Sequence, residues 1–194
     1  AETHFHGSNL YVSLAQRRFL YDHLLEQGED DKTLWQIPVS VTRAGTGGNF
    51  SMLMNQPEVE MALSGEPATD TPDWVKVNAG QTGFYRVNYS PEEWEKLRVA
   101  VEKQQLPAID RLGIQNDAYA LVRAGHLPAL QFLSLARSYQ NEIDASVWSD
   151  LSTNLRGMEN LLLDEQFLSQ YRDFAADLFQ QVVLQVGWDA RPED

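Results

Sequence analysis

Residues Gly157-Met158-Glu159-Asn160 set a carboxylate beside a carboxamide. On extended backbone, a carboxylate so placed could meet a cationic group of a ligand whose main chain pairs with the segment around it. Near the start, His4-Phe5-His6 with Glu2 brings together residue types that ligate a metal. Gly45-Thr46-Gly47-Gly48 has the glycine density of a phosphate loop. The pairs Asp30-Asp31 and Glu92-Glu93 are carboxylates of the kind that divide acid and base roles.

Each of these has a structural explanation as well. Trp148, Leu151, Leu155, Met158 and Leu162 follow one another at separations of 3, 4, 3 and 4 residues, one apolar stripe of a helix. On that helix Glu159 and Asn160 turn away from the stripe and have no ligand to grip. Gly157 fits it least well, since glycine costs a helix interior ~1 kcal/mol against alanine. His4-Phe5-His6 reads as a frayed terminus. The glycine run lacks the Lys-Ser/Thr of a phosphate loop and opens no helix, so it reads as a plain loop. The acid pairs lie at loop or helix-start positions, where carboxylates serve the helix dipole and solubility. Only His4, His6, His23 and His126 are available as imidazoles, none within H-E-x-x-H, and no G-x-S-x-G elbow is present. The sequence therefore offers no catalytic, cofactor-binding or metal-binding residue.

Composition narrows the classes further. With 28 acidic against 15 basic residues the formal charge is −13, which repels a phosphate backbone, and Arg17-Arg18, placed on a strand, has no basic cluster around it. No nucleic-acid partner is expected. The absence of cysteine removes thiol catalysis, disulfides and thiolate metal sites, and fits a reducing compartment. No apolar run approaches the ~18 residues that span a bilayer, and AETHFHGSNL has neither a basic region nor an apolar signal segment. The chain reads as soluble, with no membrane partner, and as unprocessed or cut from something longer. Its 43% hydrophobic content, with five Trp, is enough for a packed core.

Two periods divide the chain. From Leu10 to Tyr89 apolar residues alternate, predicting six short strands: around Leu10–Leu14, Trp35–Val41, Phe50–Met54, Val59–Leu63, Trp74–Asn78 and Phe84–Tyr89. Ala79-Gly80-Gln81-Thr82-Gly83 reads as the loop of a hairpin joining the last two. Pro38 demotes its strand to an edge or a bulge. These strands point to a β-sandwich over residues 1–89. From Ser90 the period becomes helical. Ser90-Pro91-Glu92-Glu93 is a capping box ahead of Trp94, Leu97 and Val101. A second helix runs from Asp110 to Ala124 with Leu112, Ile114, Ala118 and Leu121 inward, stopped by Gly125. Pro128 opens a third near Leu130, Leu133 and Ala136, a fourth begins near Ser146, and Asp164 caps a fifth that Gly187 closes. Residues 90–194 thus read as an α-helical bundle or the start of an α-solenoid, a second domain.

Trp74-Val75-Lys76-Val77-Asn78 and Gly80-Gln81-Thr82-Gly83-Phe84-Tyr85-Arg86-Val87-Asn88-Tyr89 together resemble the W-x-K-x-N…G-[YF]-Y-R-V-x-Y segment of the zinc aminopeptidase family of aminopeptidase N. Gln16–Leu20, Trp35–Val39 and Asp110–Asp117 agree with it in order and spacing. Asp110–Asp117, with Ala124-Gly125, Val147–Leu151 and Gly187-Trp188-Asp189, is most similar to the puromycin-sensitive branch. The resemblance covers the chain from about Leu10 onward.

It implies an immunoglobulin-like β-sandwich spacer followed by the first helices of a cap over the active-site cavity. Zinc, and the family's own G-x-M-E-N loop, belong to a catalytic domain upstream of everything present here, so no catalytic residue is carried over and Gly157–Asn160 is a coincidence. Trp74, Phe84, Tyr85 and Val87 are expected in the sandwich core or its seam with the helices, with Arg86 pairing across that seam. The implied function is that of a non-catalytic fragment of an enzyme removing N-terminal residues from peptides in the cytoplasm. Its partners would be the zinc domain, the remaining cap helices and, for the parent, peptide substrates; the fragment alone is expected to self-associate. The alternative is a free-standing acidic protein-interaction module without enzymatic activity.

Overall fold

Among the described residues six strands form two three-stranded sheets, and alternating side chains give three of them, Asn9–Ala15, Ile37–Arg43 and Glu58–Leu63, one buried face. The computed structural model describes residues 1–6, 9–21, 33–45, 48–64 and 73–187. The first sheet has the order β1-β2-β5, from β1 (Glu2–His6), β2 (Asn9–Ala15) and β5 (Glu58–Leu63); the second has the order β4-β3-β6, from β4 (Phe50–Met54), β3 (Ile37–Arg43) and β6 (Val75–Val77). All pairings are antiparallel. Leu10, Val12 and Leu14 of β2, with Met61 and Leu63 of β5, turn inward from the first sheet; Val39, Val41, Met54, Val75 and Val77 do so from the second.

The strand set differs from the sequence expectation at both ends. Glu2–His6 is a strand rather than a frayed end, because pairing with β2 in register Glu2↔Ser13 through His6↔Asn9 supplies main-chain partners that its own weak alternation does not announce. Phe84–Tyr89 is not a strand. A tight 3-10 turn at Ala79–Gln81, with Asn78 and Gly80 at φ 61° and 71°, is followed by irregular backbone up to Ser90. Side-chain acceptors take the place of a ladder there, and the hairpin does not form. Arg17 and Arg18 likewise lie outside any strand. Pro38 sits in the central strand of its sheet, opposite Leu53 of β4, but β6 pairs only with Val41–Arg43, so Pro38 has a strand on one side alone. That placement spares the ladder the missing N–H. Asp30-Asp31 and Thr46-Gly47 lie outside the described residues, as do Trp188-Asp189.

Among the described residues five α-helices follow: α1 (Pro91–Glu102), α2 (Ala108–Arg123), α3 (Ala129–Arg137), α4 (Ala145–Leu161) and α5 (Leu168–Val186). Ser90 caps α1 by accepting from the Glu93 amide. The reciprocal half of the box is not made: the Glu93 carboxylate accepts from Thr3 Oγ1 at 2.6 Å and from Lys96, tying β1 to α1. Gly125 at φ 76° closes α2 in a Schellman arrangement, with Gly125 N bonded to Val122 O and His126 N to Leu121 O. In α3 the inward residues are Phe132, Leu135 and Ala136, while Leu130 faces solvent. Asp144 caps α4 through the Ser146 and Val147 amides. Asp164 does not cap α5, which starts four residues later at Leu168. One buried cluster runs without interruption from Leu10 in the sheets to Leu178 in α5.

Candidate functional site

Buried polar side chains gather where the β6 turn meets α2. Lys76 is fully buried; its Nζ donates to the carbonyls of Val77 and Asn78 and lies 3.9 Å from Asp110 Oδ1. The same Asp110 oxygen accepts from the Gly80 amide at 2.7 Å. About two turns along α2, on the same face, Asp117 accepts from Arg86 Nη1 at 3.1 Å and from the Val87 amide at 3.2 Å. Tyr89 Oη accepts from Val77 N and donates to Val77 O, closing the segment on β6. The Asn78 carboxamide spans the turn, accepting from Gly83 N and donating to Gly83 O. Gly113 is required because the Gln81 side chain fills the place of a Cβ, its Nε2 only 1.8 Å from where that atom would sit.

The opposite side of α2 is also polar. Arg111 makes two 2.6 Å bonds to the Glu142 carboxylate, and Glu142 in turn accepts from the Ile143 and Asp144 amides just before α4. Gln115 Nε2 donates to Val147 O, and Asn116 bonds Asp150 and Asn154. Helix α2 is therefore a polar spine between the sheets and α4. The sequence signal for this was the five polar residues among Asp110–Asp117, a stretch too polar for its buried position; sequence reasoning named only the apolar members as inward.

Burial shifts several of these groups. It lowers the Lys76 ammonium despite the nearby Asp110 and Asp117 carboxylates, and it raises Asp117 despite Lys76 and Arg86. Burial, with the Asp117 charge behind it, also pushes the Tyr89 hydroxyl well up. A lysine that ionises less readily is the kind that acts as a nucleophile. Lys76 is sealed from solvent and committed to two carbonyls, so its role is to satisfy the turn's acceptors. Arg86 does pair across the seam; Trp74 and Val87 are buried and Tyr85 partly so, but Phe84 stands fully in solvent.

The other sequence candidates are dispersed. Gly157–Asn160 lies within α4, where Met158 is buried and the Glu159 carboxylate accepts from Arg172 Nε at 2.7 Å. Gly157 faces the Tyr119 hydroxyl, 2.0 Å from where a Cβ would lie. His4 stands 3.6 Å from Glu60, His126 packs its ring against Phe19, and His23 is outside the described residues. Among the described residues no group of three or more His, Asp or Glu side chains is placed to hold a metal ion. The donor set does not fit a zinc site. A cleft of about 1330 Å³ opens between Leu14 and Glu60 on one side and Arg86, Asn88 and Leu121 on the other, lined by mixed charges with no such grouping. No helix of the described residues is long and apolar enough to cross a membrane.

Comparison with known proteins shows the family of the chain. The family model of the ERAP1-like C-terminal domain matches residues 74–194, beginning at the tryptophan that opens the β6 turn. The puromycin-sensitive aminopeptidase of Caenorhabditis elegans is 30% identical over 94% of this chain and 19% of its own length. Aminopeptidase M1-A of Oryza sativa subsp. japonica is 31% identical over 86% of this chain and 20% of its own. The glutamyl aminopeptidase of Bitis rhinoceros is 29% identical over 93% and 20%. The chain thus spans about a fifth of the length of these relatives. Matched through the seam and all five helices, the chain belongs to the aminopeptidase family that carries the ERAP1-like C-terminal domain.

Proposed function

We propose that this chain is a non-catalytic portion of a zinc metalloaminopeptidase that removes N-terminal residues from peptides in the cytoplasm. In this reading residues 1–89 form an immunoglobulin-like sandwich that spaces a zinc domain from a cap. Residues 90–194 begin that cap, the first turns of a helical solenoid. The observation that carries it is the seam: Lys76–Tyr89 and Asp110–Asp117, stretches that resemble the family, bond to one another. Zinc belongs to the domain outside this chain. The partners are that domain and the further cap helices, which cover the exposed Leu184 and Val186 of α5; peptides are partners of the whole enzyme. A free-standing acidic interaction module is the second reading, favoured by the −13 charge and these same exposed side chains.

Two measurements test this. The purified chain is expected to bind no stoichiometric zinc and to release nothing from aminoacyl-nitroanilides, and chelator-sensitive turnover would overturn the non-catalytic reading. The natural gene should encode H-E-x-x-H several hundred residues upstream, and a native start near Ala1 would favour the second reading.

A further inference from the structure

Phe84 is the one large apolar side chain of the β6 turn that is fully exposed, at 109% of its reference accessibility. Its backbone is braced on both sides. Before it, Gly83 is bonded through N and O to the buried Asn78 carboxamide, and Gly83 has no room for a Cβ, which would lie 2.1 Å from the Tyr85 ring. After it, Arg86 and the Val87 amide are both fixed on Asp117. An aromatic ring on so constrained a turn loses little further freedom on being buried, which is the condition under which one side chain anchors an interface.

The turn's own side chains are neutral up to the half-exposed Arg86, whose charge is paired with Asp117. Ala79–Tyr85 contains no charged residue. Ser40 Oγ donates to Ala79 O, setting the turn on the face of β3 that also carries Pro38, opposite the exposed Leu53 of β4. The relatives share most of this chain yet are about five times as long, so in them about four-fifths of the protein lies outside the matched stretch and is available to cover it. A second copy is the poorer occupant, because −13 meets −13.

We propose that Phe84 is the anchor by which this unit docks into an apolar, uncharged socket on the part of a relative-length aminopeptidase outside residues 1–194. This rests on the aminopeptidase reading above.

The test sets the natural full-length protein beside the isolated chain. Phe84→Ser should lower the melting temperature of the full-length protein by a few degrees and leave that of the isolated chain unchanged, with Phe84→Tyr restoring it. Benzoylphenylalanine at position 84 of the full-length protein should cross-link, on irradiation, to a peptide outside residues 1–194. Equal shifts in both proteins, cross-links confined to residues 1–194, cross-linked homodimers, or no cross-link would each overturn the anchor while the aminopeptidase reading stood. A gene that encodes only these residues would end both.

Discussion

Glycine inside a helix costs stability unless something needs the space, and at Gly157 Tyr119 needs it. The Tyr119 ring has neighbours that resist its shifting, since it packs 5.8 Å from Phe132 and lies under the Arg123 guanidinium. Gly157→Ala gains ~1 kcal/mol of helix propensity but forces a contact whose relief costs ~1–3 kcal/mol, so urea denaturation should show a net loss. Tyr119→Phe in the same chain removes the clashing hydroxyl and should restore stability; a double variant no better than Gly157→Ala would mean that the glycine answers to something else. The seam gives a second prediction at this scale. Arg86 is 44% exposed, so Arg86→Ala should cost less than ~1 kcal/mol. Asp117 is buried and alone serves the Val87 amide while facing Lys76, so Asp117→Ala should cost ~3–5 kcal/mol. Equal losses for the two would refute the asymmetry.

Between elements, α2 is held to the start of α4 by the Arg111–Glu142 pair. Burial alone would raise the Glu142 carboxyl, but two bonds from Arg111 and two backbone amides outweigh it and hold the group below its ordinary value. A carboxyl depressed in the folded state contributes stability above its unfolded pKa and loses it as pH falls through the folded one. Asp117, raised by burial, runs the other way, its penalty fading as pH falls toward the ordinary carboxylate value. Wild type should therefore lose stability more steeply than Glu142→Gln between about pH 5 and pH 3, followed by urea midpoints at each pH. Parallel curves would mean that this pair carries no acid sensitivity. The features legible in the sequence were those set by neighbours in the chain: the Ser90 cap, the Gly125 stop, the alternation of β4 and the apolar stripe of α4. What failed depended on distant partners. Residues 84–89 alternate like a strand, yet their bonding groups go to Asp117, some 30 positions away, and β1 is a strand because β2 pairs with it. The buried Lys76 carries no local sign of burial at all.

Across the molecule, one continuous core carries a large negative charge and leaves apolar side chains along the α4–α5 pair: Leu161, Leu163 and Phe167 at the connection, Val183, Leu184 and Val186 toward the end of α5. These two properties oppose each other in solution. Burying the apolar side chains between copies is favourable, whereas bringing −13 against −13 is not. Salt decides between them, since the screening length falls from ~30 Å at 0.01 M to ~3 Å at 1 M while apolar burial persists. Residues 1–194 should therefore scatter light as a monomer at low salt and associate as sodium chloride is raised. Leu184→Lys should suppress that association, because it places a charge on the exposed end of α5, whereas Phe84→Ser should leave it unchanged. A monomer at every salt concentration, or association that Phe84→Ser removes, would show that the α4–α5 side chains do not drive contact between copies. Their exposure would then call for no further helix.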